Sequence, residues 1–485
     1  MQAKKPIYVY SEITKQKEIF SPIKEGEVTM YVCGLTVYDY FHAGNARCFV
    51  LFDFVRRFLE YMGYKVNYVQ NFTDIDDKMI KRANREAITV AELADRFVAE
   101  YQKDAEALGI RPATYHPKAT EHMAEIIEII EQLIQKGHAY ASKKDENGNS
   151  GVFFSTKSFA DYGKLSNMNT DDLETGDRVD ADIVEIKRDP LDFALWKAKK
   201  EGEPAWPSPW GEGRPGWHIE CSAMAKKYLG ETIDFHCGGR DLRFPHHENE
   251  IAQSECASGK PFVRYWLHNG FINIEGAKMA KSSGVMFTAR EIGEKYGYMP
   301  LRFFVLASTY RAPVNFSEEV IKSAQNALDR IFTFGENMGF LLKNADSGGA
   351  ADDAAQIGEI LAYREKFIDA LCDDFNTADA ISVLFDFIRE ANTKTAGTDA
   401  KPAKKLLEAI MGLYGEFCGL LGFMPEAGGP DVSDDYINEQ IEKRIAAKKS
   451  RDFKAADDIR EGLRSLGVIL EDTPSGTKWR REKFT

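Results

Sequence analysis

The chain has 485 residues, 44% hydrophobic and 29% charged. At about 150 residues per domain this is material for roughly three domains, which excludes a single small module and a disordered chain. The formal net charge of −13 excludes a uniformly basic nucleic-acid coat, though not a local basic patch.

Seven cysteines (Cys33, Cys48, Cys221, Cys237, Cys256, Cys372 and Cys418) are sparse, odd in number and far apart. They argue for reduced thiols or metal ligands and against a secreted disulfide framework. Residues 1–10 have no apolar core of signal-peptide length, and no uncharged apolar run approaches a membrane span, so a cytoplasmic protein without a membrane partner is expected.

In chain order, residues 28–33 form a β-branched and aromatic run ending at Gly34, residues 46–61 carry apolar positions at helical spacing, and 64–70 read as a second strand. Strand, loop, helix, strand opens a parallel α/β sheet, in which ligands bind beyond the carboxyl ends of strands. The loop at 33–45 is therefore a candidate site on topology alone. Residues 120–136 repeat Met123, Ile126, Ile127, Ile130, Leu133 and Ile134 on one face and stop at Gly137, which predicts an amphipathic core helix. Residues 139–141 and 152–155 flank a polar stretch with Asn147-Gly148 and suggest a hairpin within an insertion. The Pro-, Trp- and Gly-dense stretch 201–216 is expected to be irregular rather than part of a sheet.

After about Ser317 the pattern turns helical and stays so, with connections around 347–355, 393–405 and 425–435. Residues 438–485 hold twelve Lys or Arg against nine Asp or Glu, a net +3 beside −16 for the rest of the chain. A basic module carrying Phe453 and Trp479 suits RNA, since phosphates need cations and unstacked bases need aromatic faces; a solvated helical hairpin has the same charge pattern.

His42-Ala43-Gly44-Asn45 falls where the first loop enters its helix. Helix amino termini favour phosphates, His42 and Asn45 can donate to them, and Gly44 lets a flat purine approach the backbone; a helix-capping His beside a structural Gly is the plainer alternative. Lys278-Met279-Ala280-Lys281-Ser282-Ser283-Gly284 follows a short apolar strand at 271–274 and suits a clamp that brings charge onto reorganising phosphates. In this order, about 230 residues apart, the pair resembles the nucleotide-binding motifs of the class I aminoacyl-tRNA synthetases, with Ala43, Asn45 and Ala280 as departures from the idealised forms. Asn45 keeps a donor but has no titratable ring, so the likeness carries over phosphate positioning and no proton transfer.

His246 and Glu250 are four residues apart and share one face of any helix there. Ile251 stands where a zincin would need its second histidine, so hydrolysis by that route is excluded. Cys221 and Cys33 could complete a Cys, Cys, His, Glu set for zinc, yet the separations are too long for spacing to be evidence, and buried thiols with a helix cap explain the same residues.

Five stretches together are specific: Cys33 to Asp39, Thr73 to Asp77, Gly213 to Cys221, Phe244 to Glu250 and the lysine loop. With Asp374-Phe375-Asn376-Thr377 and Leu470-Glu471-Asp472-Thr473 they resemble the cysteinyl-tRNA synthetase family from about residue 5 to the end. The resemblance implies a zinc ion on Cys33, Cys221, His246 and Glu250 that binds the substrate thiolate, with Cys33, Thr73, Trp217 and His236 at the cysteine pocket. It implies ATP contacts from His42, Gly44, Asn45, Gly238, Gly239, Asp241 and Lys281. It further implies catalytic roles for His42, Asn45, Lys278 and Lys281, with Mg²⁺ accompanying ATP. Such a metal has a physical purpose: packing separates sulfur from oxygen by only about 1 to 3 kcal/mol, whereas zinc lowers a thiol's pKa and bonds sulfur in a way a basic alcohol cannot match. Gly211 to Gly216 fits the dinucleotide glycine pattern but follows no strand, so no nicotinamide or flavin is expected.

The expected fold is α/β: a class I Rossmann-like parallel-sheet catalytic domain at 1–318 with an insertion at about 115–205, a helical bundle at 319–424 and a small basic anticodon-binding domain at 435–485. The implied reaction joins L-cysteine to the 3′-terminal adenosine of tRNA(Cys) through cysteinyl-adenylate, in a monomer that binds no DNA, with Arg451, Phe453 and Trp479 as tRNA contacts. The rivals are a relative that joins cysteine to an amino sugar, against which the terminal module speaks, and a zinc-containing RNA-binding protein without activity.

Overall fold

The computed structural model describes residues 5–167, 187–274, 277–278, 287–345, 353–396, 402–424, 433–466, 468–473 and 476–481. The chain divides into two units, one made of Met1–Ile321, Ile368–Ala380 and Leu420–Gly422, the other of Lys322–Phe367, Ile381–Gly419 and Phe423–Thr485.

The first unit starts with a short antiparallel pair, β1 (Tyr8–Tyr10) and β2 (Lys17–Ile19). Its centre is a parallel sheet. Strand β3 (Glu27–Thr36) leads through a loop to helix α1 (Ala43–Tyr61), which returns to β4 (Lys65–Thr73), parallel to β3. Both strands are buried along most of their length; β3 is largely apolar, as a sheet covered on both faces favours, whereas β4 also buries the polar Gln70, Asn71 and Thr73. Helix α1 buries residues all round, from Ala43 and Ala46 to Phe58 and Leu59. Among them is Asp53, whose carboxylate accepts from Arg57 Nε at 2.7 Å and Arg302 Nη2 at 2.8 Å.

Helices α2 (Asp77–Glu86) and α3 (Val90–Ala107) follow, then α4 (Met123–Gln135), whose buried face is Ile126, Ile129, Ile130 and Leu133. Gly137 takes a positive φ of 80°, the left-handed conformation expected where that helix stops. The predicted hairpin is β5 (Ala139–Ala141) with β6 (Val152–Phe154), and it is extended by β7 (Phe193–Ala198) and β8 (Gly213–Pro215) into a four-stranded antiparallel sheet. The stretch 201–216 is thus not wholly irregular: its last residues form β8, with Pro215 opposite Trp196 on the sheet's edge, where a missing N–H is tolerated.

Helix α5 (Trp217–Leu229) leads to β9 (Ile233–Gly239), a wide turn at 243–247, α6 (Glu248–Ser258) and β10 (Val263–Asn269). The parallel sheet has the order β10-β9-β3-β4. The chain therefore moves outward one way from β3 and then returns to its other side, which makes the β3/β9 boundary a topological switch point. Next come β11 (Ile272–Ile274), β12 (Ala277–Lys278), α7 (Ala289–Tyr296), α8 (Tyr298–Leu306) and β13 (Val314–Phe316), with β11 between β12 and β13. Asp374, at φ 61°, closes this unit: its carboxylate accepts from Tyr10 N at 2.8 Å, Tyr310 Oη at 3.0 Å and Arg311 Nε at 3.0 Å.

Helices α9 (Glu318–Lys343), α10 (Asp353–Cys372), α11 (Thr377–Thr395) and α12 (Lys404–Leu421) supply the helical region. In the second unit Phe367 stacks on Phe417 with ring centroids 4.1 Å apart. The terminal segment is not purely helical. After α13 (Asp434–Lys449) and α14 (Phe453–Ser465), β14 (Val468–Thr473) and β15 (Gly476–Arg481) form an antiparallel hairpin. Ile437, Ile441, Leu463, Val468 and Leu470 make its core, and Asp472 accepts from both Nη atoms of Arg444 at 2.7 and 2.8 Å.

Candidate active site and metal centre

Cys33 lies near the end of β3, where Gly34 lets the strand bulge. A Cβ at Gly34 would sit 1.6 Å from Asn71 O, and the β3/β4 register shifts between Val32 and Leu35. Cys221 is on the second turn of α5, His246 in the turn before α6, and Glu250 in the first turn of α6. All four side chains are buried, and their ligand atoms lie within 4.8 Å of one another. His246 Nε2 is 3.0 Å from Glu250 Oε1, as the four-residue spacing requires.

A second set, Cys33, His236, His247 and Glu250, meets the same distance limit. Glu250 Oε2 is 2.7 Å from His236 Nε2, Cys33 Sγ is 3.2 Å from His247 Nε2, and His247 Nδ1 is 2.8 Å from His268 Nε2. His236, His247 and His268 thus adjoin Cys33, Glu250 and one another, the His236 and His247 rings 4.6 Å apart between centroids.

Electrostatics show what such a cluster needs. Burial would raise the Glu250 carboxyl, but His236 and His246 outweigh it and hold it at about 2. Cys221 is lowered to about 6, first by a hydrogen bond with Cys33, whose own thiol burial pushes well up. Burial disfavours a charged His246, yet Glu250 and Cys221 draw its pKa up to about 9. The buried cluster thus favours charge on Glu250 and lowers the Cys221 thiol, with the His246 imidazole raised beside them. Buried anions are costly without a cation among them, and a metal ion held by these four residues would supply a larger positive charge than a proton does. Two sulfurs, a nitrogen and a carboxylate oxygen fit a transition metal better than a hard cation.

Among the expected cysteine-pocket residues, Trp217 stacks on His246 at 4.1 Å between ring centroids, and buried Thr73 donates to Glu220 Oε2 at 3.0 Å. His236 is fully buried and engaged on Glu250. Glu220, His247 and His268 were not among the sequence candidates. Burial, joined by the Cys221 charge, pushes Glu220 well above the usual carboxylate range, while burial and neighbouring imidazoles push His247 and His268 down.

The residues expected to contact the nucleotide begin at the start of α1. His42 is the N-cap: its Nδ1 accepts from Asn45 N, and Asn45 Oδ1 accepts from His42 N, both at 3.3 Å, a reciprocal capping box. A Cβ on Gly44 would fall 2.9 Å from the His42 ring, so the motif needs glycine to keep that ring over the helix start. The residues expected to meet phosphate are thus also the ones that cap the helix. Gly238 and Gly239 end β9, and Asp241 is exposed just beyond. Lys278 is described by its backbone alone, in β12 opposite Asn273; Lys281 lies outside the described residues. Arg451 and Phe453 are exposed in the terminal segment, Phe453 by 63%, whereas Trp479 packs against that segment's core and donates from Nε1 to Asn438 at 3.1 Å. Cys48, Cys237, Cys256, Cys372 and Cys418 are all buried free thiols.

Residues 19–326 match the catalytic domain of class I (C) tRNA synthetases, and 366–424 match the DALR domain. A cysteine–tRNA ligase of Caldicellulosiruptor saccharolyticus is 54% identical over 476 residues, covering 98% of this chain and 100% of the relative. The chain belongs to the cysteine–tRNA ligase family. A second member of this family, from Lachnoclostridium phytofermentans, is 50% identical over 98% of this chain and 99% of its own length. The fold is that of class I synthetases more widely: a Mycobacterium tuberculosis methionyl-tRNA synthetase solved with methionyl-adenylate superposes with a TM-score of 0.61 at 15% identity, covering 81% of this chain and 89% of that one. In this ligase-family chain the cluster and the start of α1 both stand at the carboxyl end of β3, where a parallel sheet offers its ligand crevice.

Proposed function

We propose that the chain is a cysteine–tRNA ligase: it activates L-cysteine with ATP to cysteinyl-adenylate and pyrophosphate, then passes the cysteinyl group to the 3′-terminal adenosine of tRNA(Cys). The observation that carries this is the buried convergence of Cys33, Cys221, His246 and Glu250 beside the capped start of α1.

Cys33, Cys221, His246 and Glu250 would hold one zinc ion. Bound there, zinc supplies a soft Lewis acid that favours the substrate's sulfur as thiolate over the hydroxyl of serine. Thr73 and Trp217 shape the amino-acid pocket beside these ligands, and His236 orients Glu250. His42 and Asn45, with the dipole of α1 behind them, receive the phosphates of ATP, which Mg²⁺ accompanies. Gly44, Gly238 and Gly239 leave room for adenosine, with Asp241 beside it. Lys278 and Lys281 stabilise the charge that develops as the cysteine carboxylate displaces pyrophosphate from the α-phosphorus in line. Catalysis is then mostly positioning and charge stabilisation.

In this reading residues 1–318 are the catalytic domain, 319–424 the helical bundle and 435–485 the anticodon-binding domain, with Arg451, Phe453 and Trp479 toward tRNA. The working form is a cytoplasmic monomer. No described helix is long and apolar enough to cross a membrane.

The test is charging of purified tRNA with cysteine against serine, before and after metal is stripped with a chelator and then restored with zinc. Cysteine is expected to be charged, serine not, and chelation to abolish charging until zinc returns. Undiminished charging by fully metal-free protein would overturn the assignment of selectivity to the four ligands.

A further inference from the structure

Arg47 stands in the same first turns of α1 as His42 and Asn45, yet it is 1% exposed and points away from solvent into the protein. Each of its four acceptors is a main-chain carbonyl: Nη1 donates to Phe271 O at 2.8 Å, and Nη2 to Ala312 O at 2.6 Å, Tyr310 O at 3.2 Å and Thr309 O at 3.4 Å. No carboxylate among the described residues lies within ion-pair distance of it. Burial alone pulls its pKa down to about 10. A guanidinium buried without a counter-charge is costly, and an apolar side chain could have filled the space.

The four carbonyls belong to the two segments that hold the root of the lysine loop. Phe271 O also accepts from Val314 N at 2.9 Å, at the start of the β11/β13 pairing, and Tyr310 O also accepts from Gly270 N at 2.8 Å. Strand β11 pairs in turn with β12, Asn273 opposite Lys278. At the loop's far end the backbone returns to the same helix: Ala43 N donates to Phe287 O at 3.0 Å and Ala289 N to Phe41 O at 2.9 Å. The start of α1 therefore holds the chain on both sides of the lysine segment, through Arg47 on Phe271 before it and through the backbone bonds at Phe287 and Ala289 after it, while Arg47 also ties Phe271 to the 309–312 stretch.

We infer that Arg47 is a positioning residue for adenylate formation, which fixes the β11–β13 root of the lysine segment at a set distance from His42 and Asn45. The inference rests on the proposed activity. A planar fork serves four carbonyls in two segments; a lysine ammonium offers a point charge without that fork. Losing the fork lets the two phosphate-binding halves drift, leaving the cysteine pocket on β3, α5 and α6 intact.

The experiment measures cysteine-dependent ATP–pyrophosphate exchange for the full chain and for Arg47→Lys and Arg47→Gln, each alone and combined with Lys281→Ala, alongside zinc content and thermal unfolding. We expect kcat to fall roughly 100-fold in the Arg47 variants, the KM for cysteine to stay within about twofold, and zinc content to be unchanged. In the Lys281→Ala background, Arg47→Lys should cost less than about threefold more, because both substitutions remove the same interaction. Losses that multiply in the double variants, or a KM for cysteine that rises as kcat falls, would overturn the inference. If neither Arg47 variant folds, Arg47 serves the fold alone and the inference also fails. Absence of exchange in the unmodified protein would instead refute the proposed activity itself.

Discussion

Glu250 presents one carboxylate oxygen to His246 at 3.0 Å and the other to His236 at 2.7 Å. A carboxylate with both oxygens committed cannot swing, so His236 fixes which lone pairs face the proposed metal. Groups that orient metal ligands in this way are worth roughly 10- to 100-fold in affinity when removed. His236→Ala should therefore weaken zinc binding by about that factor, measured by competition with a chromophoric chelator, while leaving the four ligands in place. Unchanged affinity would show that helix α6 alone positions Glu250. Trp217 belongs to a different layer of the site: it meets His246 face to face, so its removal opens the pocket without freeing the carboxylate.

At the scale of elements, α1 shows one motif answering to two demands. The reciprocal His42/Asn45 cap satisfies two amino-terminal N–H groups, and the same side chains stand where the proposed triphosphate arrives. Asn45→Ala removes half of the box and should cost about 1 kcal/mol of stability together with exchange activity. Asn45→Asp separates the roles. Its carboxylate still accepts from His42 N and is favoured by the helix dipole, so thermal stability should be kept or raised, but it repels phosphate and exchange should collapse. An Asn45→Asp variant that retains exchange would leave Asn45 as a cap only.

The elements legible from sequence were those with strong local signals: α1, α4 with its Gly137 stop, and the hairpin around Asn147-Gly148. Strand β8 was missed because its signal is a partner far along the chain, β7, while its own composition of Gly, Arg and Pro reads as loop. The β14/β15 hairpin was hidden likewise by the charged residues around it. His246 and Glu250 could be paired from their helical spacing. Their meeting with Cys33 and Cys221 depends on strand order, which spacing does not encode, and was reached through the family resemblance. The engagement of Glu220, His247 and His268 follows from the burial that the assembled sheet imposes.

For the molecule as a whole, the proposed reaction separates into a step that needs only cysteine and ATP and a step that also needs tRNA. The first is expected to depend on the parallel-sheet unit. The terminal segment of α13, α14, β14 and β15 has its own small core, a basic charge balance and an exposed aromatic, Phe453, two residues from exposed Arg451. Arg451 holds a φ of 62°, which turns the chain sharply between α13 and α14 and places the pair at a corner, while Trp479 is partly spent on the core. An exposed aromatic beside a cation is the pair a nucleobase and its phosphate require, and stacking of one base is worth about 1 to 3 kcal/mol. The double variant Arg451→Ala/Phe453→Ala should therefore leave cysteine-dependent exchange unchanged and lower kcat/KM for tRNA by roughly 10-fold or more, chiefly through KM. Equal charging by the double variant and the unmodified protein, at subsaturating tRNA and moderate salt, would remove this corner from the tRNA interface.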